Sequence, residues 1–188
     1  LKTLILASKF DHCLIELINK TKNKNLNLSI QAVISNHNDL KKISSLENLP
    51  FHYFPINNDK LKQEKRIIEF IDQKQIDIII LARYMQILSR NFVDRFYGKI
   101  INIHHSFLPS FKGAKPYHQA FERGVKIIGA TAHFVNQNLD EGPIIEQDVE
   151  KVDHELSPSD LVTIGKDIEA RVLYKAIKNF SDGRVFLN

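Results

Sequence analysis

The run Ile76-Asp77-Ile78-Ile79-Ile80-Leu81 restricts the folds open to this chain more than any other stretch. It is β-branched almost throughout and lacks the in–out alternation of a half-exposed strand, so it reads as a strand buried on both faces of a parallel sheet. Parallel neighbours need crossover connections, usually helical. Helix-length stretches stand in the right places. Residues 11–20 carry apolar Leu14, Ile15, Leu17 and Ile18, and residues 58–73 place Leu61, Ile67, Ile68 and Ile71 at helical spacing, with Asn58 or Asp59 as N-cap. Short apolar runs at residues 4–7 and 28–34 supply two more strands. The alternation predicts an α/β fold: a single doubly wound, mostly parallel (mixed) sheet with helices on both faces.

The second half continues the pattern. A strand is expected over residues 99–104, then a loop marked by Pro109, Gly113 and Pro116, and a short helix over residues 117–123 closed by Gly124 as C′ glycine. Strands follow over residues 126–135 and 143–149, and a last helix starts after Ser157 with Pro158 in its first position and runs to about Asn179. No repeat, low-complexity tract or linker divides the 188 residues, so the expectation is one domain over residues 1–188. In such sheets ligands bind beyond the carboxyl ends of the strands. The chemistry is therefore expected in residues 82–88, 102–116 and 133–143.

Composition removes several functions. All seven glycines lie between Gly98 and Gly183, and Ala7-Ser8-Lys9-Phe10-Asp11-His12 follows the first strand. Dinucleotide and phosphate loops need glycine there so that backbone N–H groups can approach phosphate, which excludes a Rossmann NAD enzyme and a P-loop nucleotidase. The net charge of +4 comes from 26 basic against 22 acidic residues that interleave, so no nucleic-acid partner is expected. No apolar run approaches the roughly 20 residues of a membrane helix, and no signal-peptide core is recognisable. One cysteine, Cys13, excludes a disulfide framework and a cysteine-clustered metal site. A cytoplasmic protein without a membrane partner is the expectation.

Asn102-Ile103-His104 ends a strand, and alternation sends Asn102 and His104 to one side with Ile103 on the other. An amide donor and an imidazole so placed can address one carbonyl, the first at an oxyanion and the second moving a proton. The same pair also suits a buried, hydrogen-bonded Asn and a structural His. Asp140, in the polar turn Asn138-Leu139-Asp140-Glu141-Gly142-Pro143, can orient a histidine or hold a water, or can be an ordinary turn aspartate. His133, on the preceding strand, can approach the same cavity. His104, His105, His118 and His133 raise a zinc site, but His104 and His105 should point to opposite faces and no HExxH pattern exists, so no metal is expected. Ser106 and Ser110 lack a nucleophile elbow.

The stretch Asn102-Ile103-His104-His105-Ser106-Phe107-Leu108-Pro109-Ser110-Phe111, with Gly113, resembles the signature loop of the folate-dependent formyltransferase fold. Asp140-Glu141-Gly142-Pro143-Ile144-Ile145 is similar to its second signature. Three further stretches, Ser8 to Leu14, Leu81 to Leu88 and Gly129 to Val135, resemble the formyltetrahydrofolate deformylases (10-formyltetrahydrofolate hydrolases) within that fold. The resemblance runs from about Leu4 to Val185 and implies a formyltransferase-like, Rossmann-type sheet.

It also implies an activity: hydrolysis of 10-formyltetrahydrofolate to formate and tetrahydrofolate, a step of one-carbon and purine metabolism, with no prosthetic group. Asn102, His104 and Asp140 are then the catalytic residues, and Arg83, Tyr84, Met85, Gln86, Ile87, Leu88, His133, Val135 and Asn136 bind the small-molecule folate substrate. Met85, Ile87 and Leu88 also suit an ordinary core, Gln86 stands where related transferases often have Arg, and Lys9 and His12 are weaker candidates near the entrance. The alternative is transfer of the formyl group to an amine such as glycinamide ribonucleotide. Transferases of that kind hold their acceptor's phosphate on a glycine-containing loop after the first strand, absent here, and carry proline where this chain has His105. Methionyl-tRNA formyltransferases add a basic C-terminal domain. Deformylases usually carry an N-terminal ACT-type regulatory domain, so the chain, which starts on the core's first strand, is expected to be a trimmed catalytic part. A homo-oligomer is implied by the resemblance alone.

Overall fold

The structure, a computed structural model, describes residues 1–56, 59–110 and 116–187. Its elements run β1 (Lys2–Ala7), α1 (His12–Lys22), β2 (Ser29–Ser35), α2 (Lys41–Leu46), β3 (Phe51–Tyr53), α3 (Lys60–Lys74), β4 (Ile78–Ala82), α4 (Arg90–Arg95), β5 (Ile100–His104), α5 (Pro116–Glu122), β6 (Ile127–Phe134), β7 (Ile144–Lys151) and α6 (Pro158–Ser181). The described strands form one sheet in the order β3-β2-β1-β4-β5-β6-β7, parallel through β5 and antiparallel at β6 and β7. This is the mixed, doubly wound sheet expected from the sequence.

The β-branched run occupies the centre, and β4 is buried at every residue between β1 and β5. Asp77, its one polar member, precedes the strand and accepts a hydrogen bond from the Lys2 N–H at 2.7 Å. Alternation divides the core. Ile5, Ala7, Ile78, Ile80, Ile101 and Ile103 pack with Leu14 and Leu17 of α1 and with Val172 and Leu173 of α6. Leu4, Leu6, Ile79, Leu81 and Ile100 pack on the other face with Ile67 and Ile71 of α3 and with Phe92. Burying a Leu or Ile side chain is worth about 1.5–3 kcal/mol, so this two-faced burial dictates the layer order.

Local signals account for several boundaries. Asp59 caps α3 by accepting from the Lys62 N–H, and the other candidate, Asn58, lies outside the described residues. Ser157 and Asp160 form a reciprocal capping box at α6 with Pro158 in the first position. Gly124, after α5, has φ +62°. Leu61 departs from the expected apolar stripe: it is 69% exposed, and Gln63 and Glu64 hold the buried positions at that end of α3. The short β3, α2 and α4 had no periodicity long enough to read, since each spans three to six residues.

Strand order reverses between β1 and β4: β1 leads outward to β2 and β3, and β4 leads the opposite way to β5. The crevice beyond these strand ends is the default ligand position of the fold.

Candidate active site

β5 pairs in parallel with β4 and antiparallel with β6, in the register Leu81↔Asn102, Asn102↔His133 and His104↔Thr131. That register places Asn102, His104 and His133 together at one end of the sheet. Asn102 Nδ2 stands 3.2 Å from His133 Nε2. Asp140, from the turn between β6 and β7, brings Oδ1 to 3.2 Å from His104 Nδ1 and 3.8 Å from His133 Nε2. The three residues read as catalytic therefore converge on one side of the sheet, and His133 joins them.

The turn is built to deliver the carboxylate. Asp140 adopts φ +57°, a left-handed conformation that Asp tolerates better than bulkier residues. Asn136 Oδ1 accepts from the Asn138 N–H at 3.0 Å, and the Asn136 amide donates to the Glu141 carbonyl at 3.3 Å. Gly142 then passes so close to β6 that a Cβ there would lie 1.7 Å from the Phe134 carbonyl oxygen. Only glycine permits that approach.

Hydrogen bonding assigns the tautomers. His133 Nδ1 lies 2.8 Å from the Phe134 carbonyl, which can only accept, so Nδ1 carries the proton. Burial lowers the His133 pKa, which keeps the ring neutral and leaves Nε2 to accept from the Asn102 amide. Burial pushes the Asp140 carboxyl upward, but the hydrogen bond from His104 and the nearby imidazoles outweigh it and hold the group below the ordinary carboxylate value. An ionised Asp140 accepts from His104 Nδ1–H. His104 Nε2 is then the free ring nitrogen: it is buried and has no hydrogen-bond partner among the described residues.

A cavity of about 280 Å³ opens beside these groups. Asn102, His104, His133 and Asp140 line it, together with all the residues assigned to substrate binding: Arg83, Tyr84, Met85, Gln86, Ile87, Leu88, Val135 and Asn136. Met85 and Ile87 are 51% and 62% exposed, so they are cavity wall and not core. Tyr84 is mostly core, its hydroxyl 3.4 Å from Gln63 Oε1. Leu81, Val93, His105, Gln137, Asn138 and Leu139 line the cavity as well.

One expectation needs correction. His104 and His105 do not point to opposite faces: β5 ends at His104, alternation stops there, and the two rings lie 5.1 Å apart. Arg83 lines the cavity, with its Nε 3.3 Å from Glu169 Oε2 in an ion-pair contact. The other end of the signature loop, Phe111 and Gly113, lies outside the described residues, and the Ser106 hydroxyl donates to the Ser110 carbonyl at 2.7 Å.

Sequence reasoning missed Glu169. It sits on α6, 1% exposed, accepting from the Tyr117 hydroxyl at 2.7 Å and paired with His12 Nε2 at 2.7 Å. Burial raises the Glu169 carboxyl, and the His12 bond and Arg83 charge more than reverse it. Gly165, one turn earlier, makes room for the Tyr117 ring, which a Cβ would meet at 2.1 Å. The signal available was a Glu amid apolar residues of a buried helix face. His12, Cys13 and Glu169 place metal-type donor atoms within 4.8 Å of one another. Arg83 already pairs with that carboxylate, and burial pushes the Cys13 thiol up, which disfavours the thiolate a metal would need.

The sequence matches the formyl transferase family over residues 1–177. It is 51% identical over 187 residues to a formyltetrahydrofolate deformylase of Corynebacterium sp. (strain P-1), covering 99% of this chain and 65% of that protein. The crystal structure of a formyltetrahydrofolate deformylase from Pseudomonas syringae pv. tomato superposes with a TM-score of 0.96 at 42% identity, over 100% of this chain and 63% of that one. A phosphoribosylglycinamide formyltransferase from Anaplasma phagocytophilum superposes at 0.93 with 31% identity, over 100% of this chain and 90% of that one. The chain thus spans slightly less than two thirds of the length of the two deformylases. Among the described residues no helix is long and apolar enough to cross a membrane.

Proposed function

Since this chain belongs to the formyl transferase family, we propose that it hydrolyses 10-formyltetrahydrofolate to formate and tetrahydrofolate, as the names of its deformylase relatives indicate for them. The observation that carries the reading is the His104–Asp140 contact at 3.2 Å, set against Asn102 at the wall of a largely apolar cavity. Such a cavity, with a few polar groups converging on one point, suits a flat heteroaromatic ligand.

In this reading the formyl carbon lies among Asn102, His104 and Asp140. Water attacks it, and the Asn102 N–H not given to His133 donates to the developing oxyanion. One such donor is worth about 3–4 kcal/mol of barrier. Asp140 holds His104 by Nδ1, so the unprotonated Nε2 takes a proton from the attacking water and passes it to the folate nitrogen as the C–N bond breaks. The water oxygen stays on the formyl carbon, and formic acid ionises to formate. Asp140 also positions the attacking water. A cytoplasmic setting and a homo-oligomer belong to the same proposal.

Transfer to an amine is the second reading, and the likeness to the phosphoribosylglycinamide formyltransferase favours it. The lack of glycine after β1, where Ser8-Lys9-Phe10-Asp11 stands, supports hydrolysis. Incubating the purified protein with 10-formyltetrahydrofolate and no amine decides between them. Formate equal to the folate consumed is expected, and strict dependence on an added amine would overturn the proposal.

A further inference from the structure

The switch-point crevice between β1 and β4 is the place where a doubly wound sheet ordinarily admits a ligand. Its lips are the segment after β1 and the first residue after β4, Arg83. In this chain it is filled from within. Arg83 projects its guanidinium over the Phe10 ring, 5.1 Å from the centroid, and its Nε lies 3.3 Å from Glu169 Oε2, an ion-pair contact without hydrogen-bond geometry. The Arg83 carbonyl accepts from the Ser8 N–H at 3.3 Å, which ties the two lips together. Glu169 is held in turn by Tyr117 and His12.

The filling borders the reacting groups. Arg83 and His105 both line the catalytic cavity, and the His105 ring lies 5.1 Å from that of His104 and 6.3 Å from that of Tyr117. Arg83 also carries φ +62°. A glycine takes that conformation without strain, whereas a long side chain pays for it, so an Arg here reports a requirement for the side chain itself. A buried ion pair is a weak source of stability, which leaves shape and charge as what it supplies.

We infer that Arg83, ion-paired with Glu169, is the specificity-determining residue that closes the switch-point crevice to any acceptor larger than water. The inference rests on the hydrolytic reading above and deepens it. The competing reaction balances as follows: an amine nitrogen forms a bond to the formyl carbon, the bond from that carbon to the folate nitrogen breaks, and the proton lost by the amine passes to the folate nitrogen. The catalytic groups serve both reactions, and room for the amine separates them.

The test is Arg83→Gly, which removes the side chain and suits the backbone, assayed with 10-formyltetrahydrofolate and glycinamide for both formate and N-formylglycinamide. Wild type should give formate with no more than a trace of N-formylglycinamide. The variant should raise the ratio of N-formylglycinamide to formate at least about tenfold, the scale on which steric discrimination operates in enzyme pockets. If the variant does not fold because Glu169 has lost its counter-charge, Arg83→Gly with Glu169→Gln carries the same assay. Formate as the sole product of the folded variant would overturn the inference while leaving the hydrolytic reading intact. Absence of formate from wild type would remove that reading and the inference with it.

Discussion

Nδ1 of His104, the last residue of β5, lies 3.2 Å from Oδ1 of Asp140, in the turn between β6 and β7. The contact leaves Nε2 of a buried imidazole unpartnered among the described residues, in a residue that lines the same cavity as Asn102. A carboxylate that fixes one ring nitrogen determines what the other can do, and the predictions for turnover follow from that relation.

Asp140→Asn keeps the shape of the turn and removes the charge that selects the His104 tautomer. Turnover should fall about 10³-fold or more, as in other carboxylate–imidazole pairs, with little change in thermal midpoint. Because Asp140 is held below the ordinary carboxylate value, the acid limb that it contributes to a wild-type pH–rate profile should fall below pH 3.8. A thermal midpoint that collapses while turnover survives would make Asp140 structural.

His133→Leu removes the acceptor that orients the Asn102 amide. A loss of about tenfold in kcat is expected, the worth of one hydrogen bond. His133→Gln, which retains a donor and an acceptor, should recover part of it. Equal kinetics in the two variants would separate His133 from the positioning of Asn102.

Gly142→Ala drives a methyl group into the Phe134 carbonyl and displaces the turn that carries Asp140. Stability should drop by about 1–3 kcal/mol, as for other overpacked sites. Turnover should fall beyond what the unfolded fraction explains, measured by activity per folded protein.

Acid should destabilise the fold before ordinary carboxylates titrate. Burial, aided by Arg83, pushes the His105 pKa down from 6.5 to about 3. The unfolded chain therefore binds a proton that the folded one refuses, so stability falls as pH drops from 6.5 toward 3. Burial lowers His133 in the same sense. Asp140 and Glu169 are held below their ordinary values, and their contribution, full above about pH 4.5, is lost below it. Denaturant midpoints should decline from about pH 7 to pH 5, and more steeply below. His105→Leu should flatten the upper part of that decline.

The layer architecture was legible because it rests on periodicities. The Ile76–Leu81 run, the helical stripes and the Ser157–Pro158 start each report local geometry, and each stands within a few residues of its expected place. Asn102 and His104 were legible for the same reason, sharing one face of a strand. Asp140 by itself reads as an ordinary turn aspartate and only the signature resemblance singles it out, since no local pattern says which turn reaches which strand. Short β3, α2 and α4 lacked the length that a period needs.

By itself, the amino-acid order determined the alternation of strands and helices, the loss of any glycine phosphate loop, and the residues able to act on a formyl group. Tertiary structure alone decided that His105 turns beside His104, that His133 holds the Asn102 amide, and that Arg83 crosses to Glu169 on α6. The division has a physical cause. Backbone hydrogen bonding and burial act over a few residues and leave a periodic trace. Buried polar groups must find partners wherever the fold brings donors and acceptors together, and that choice leaves no trace in local order.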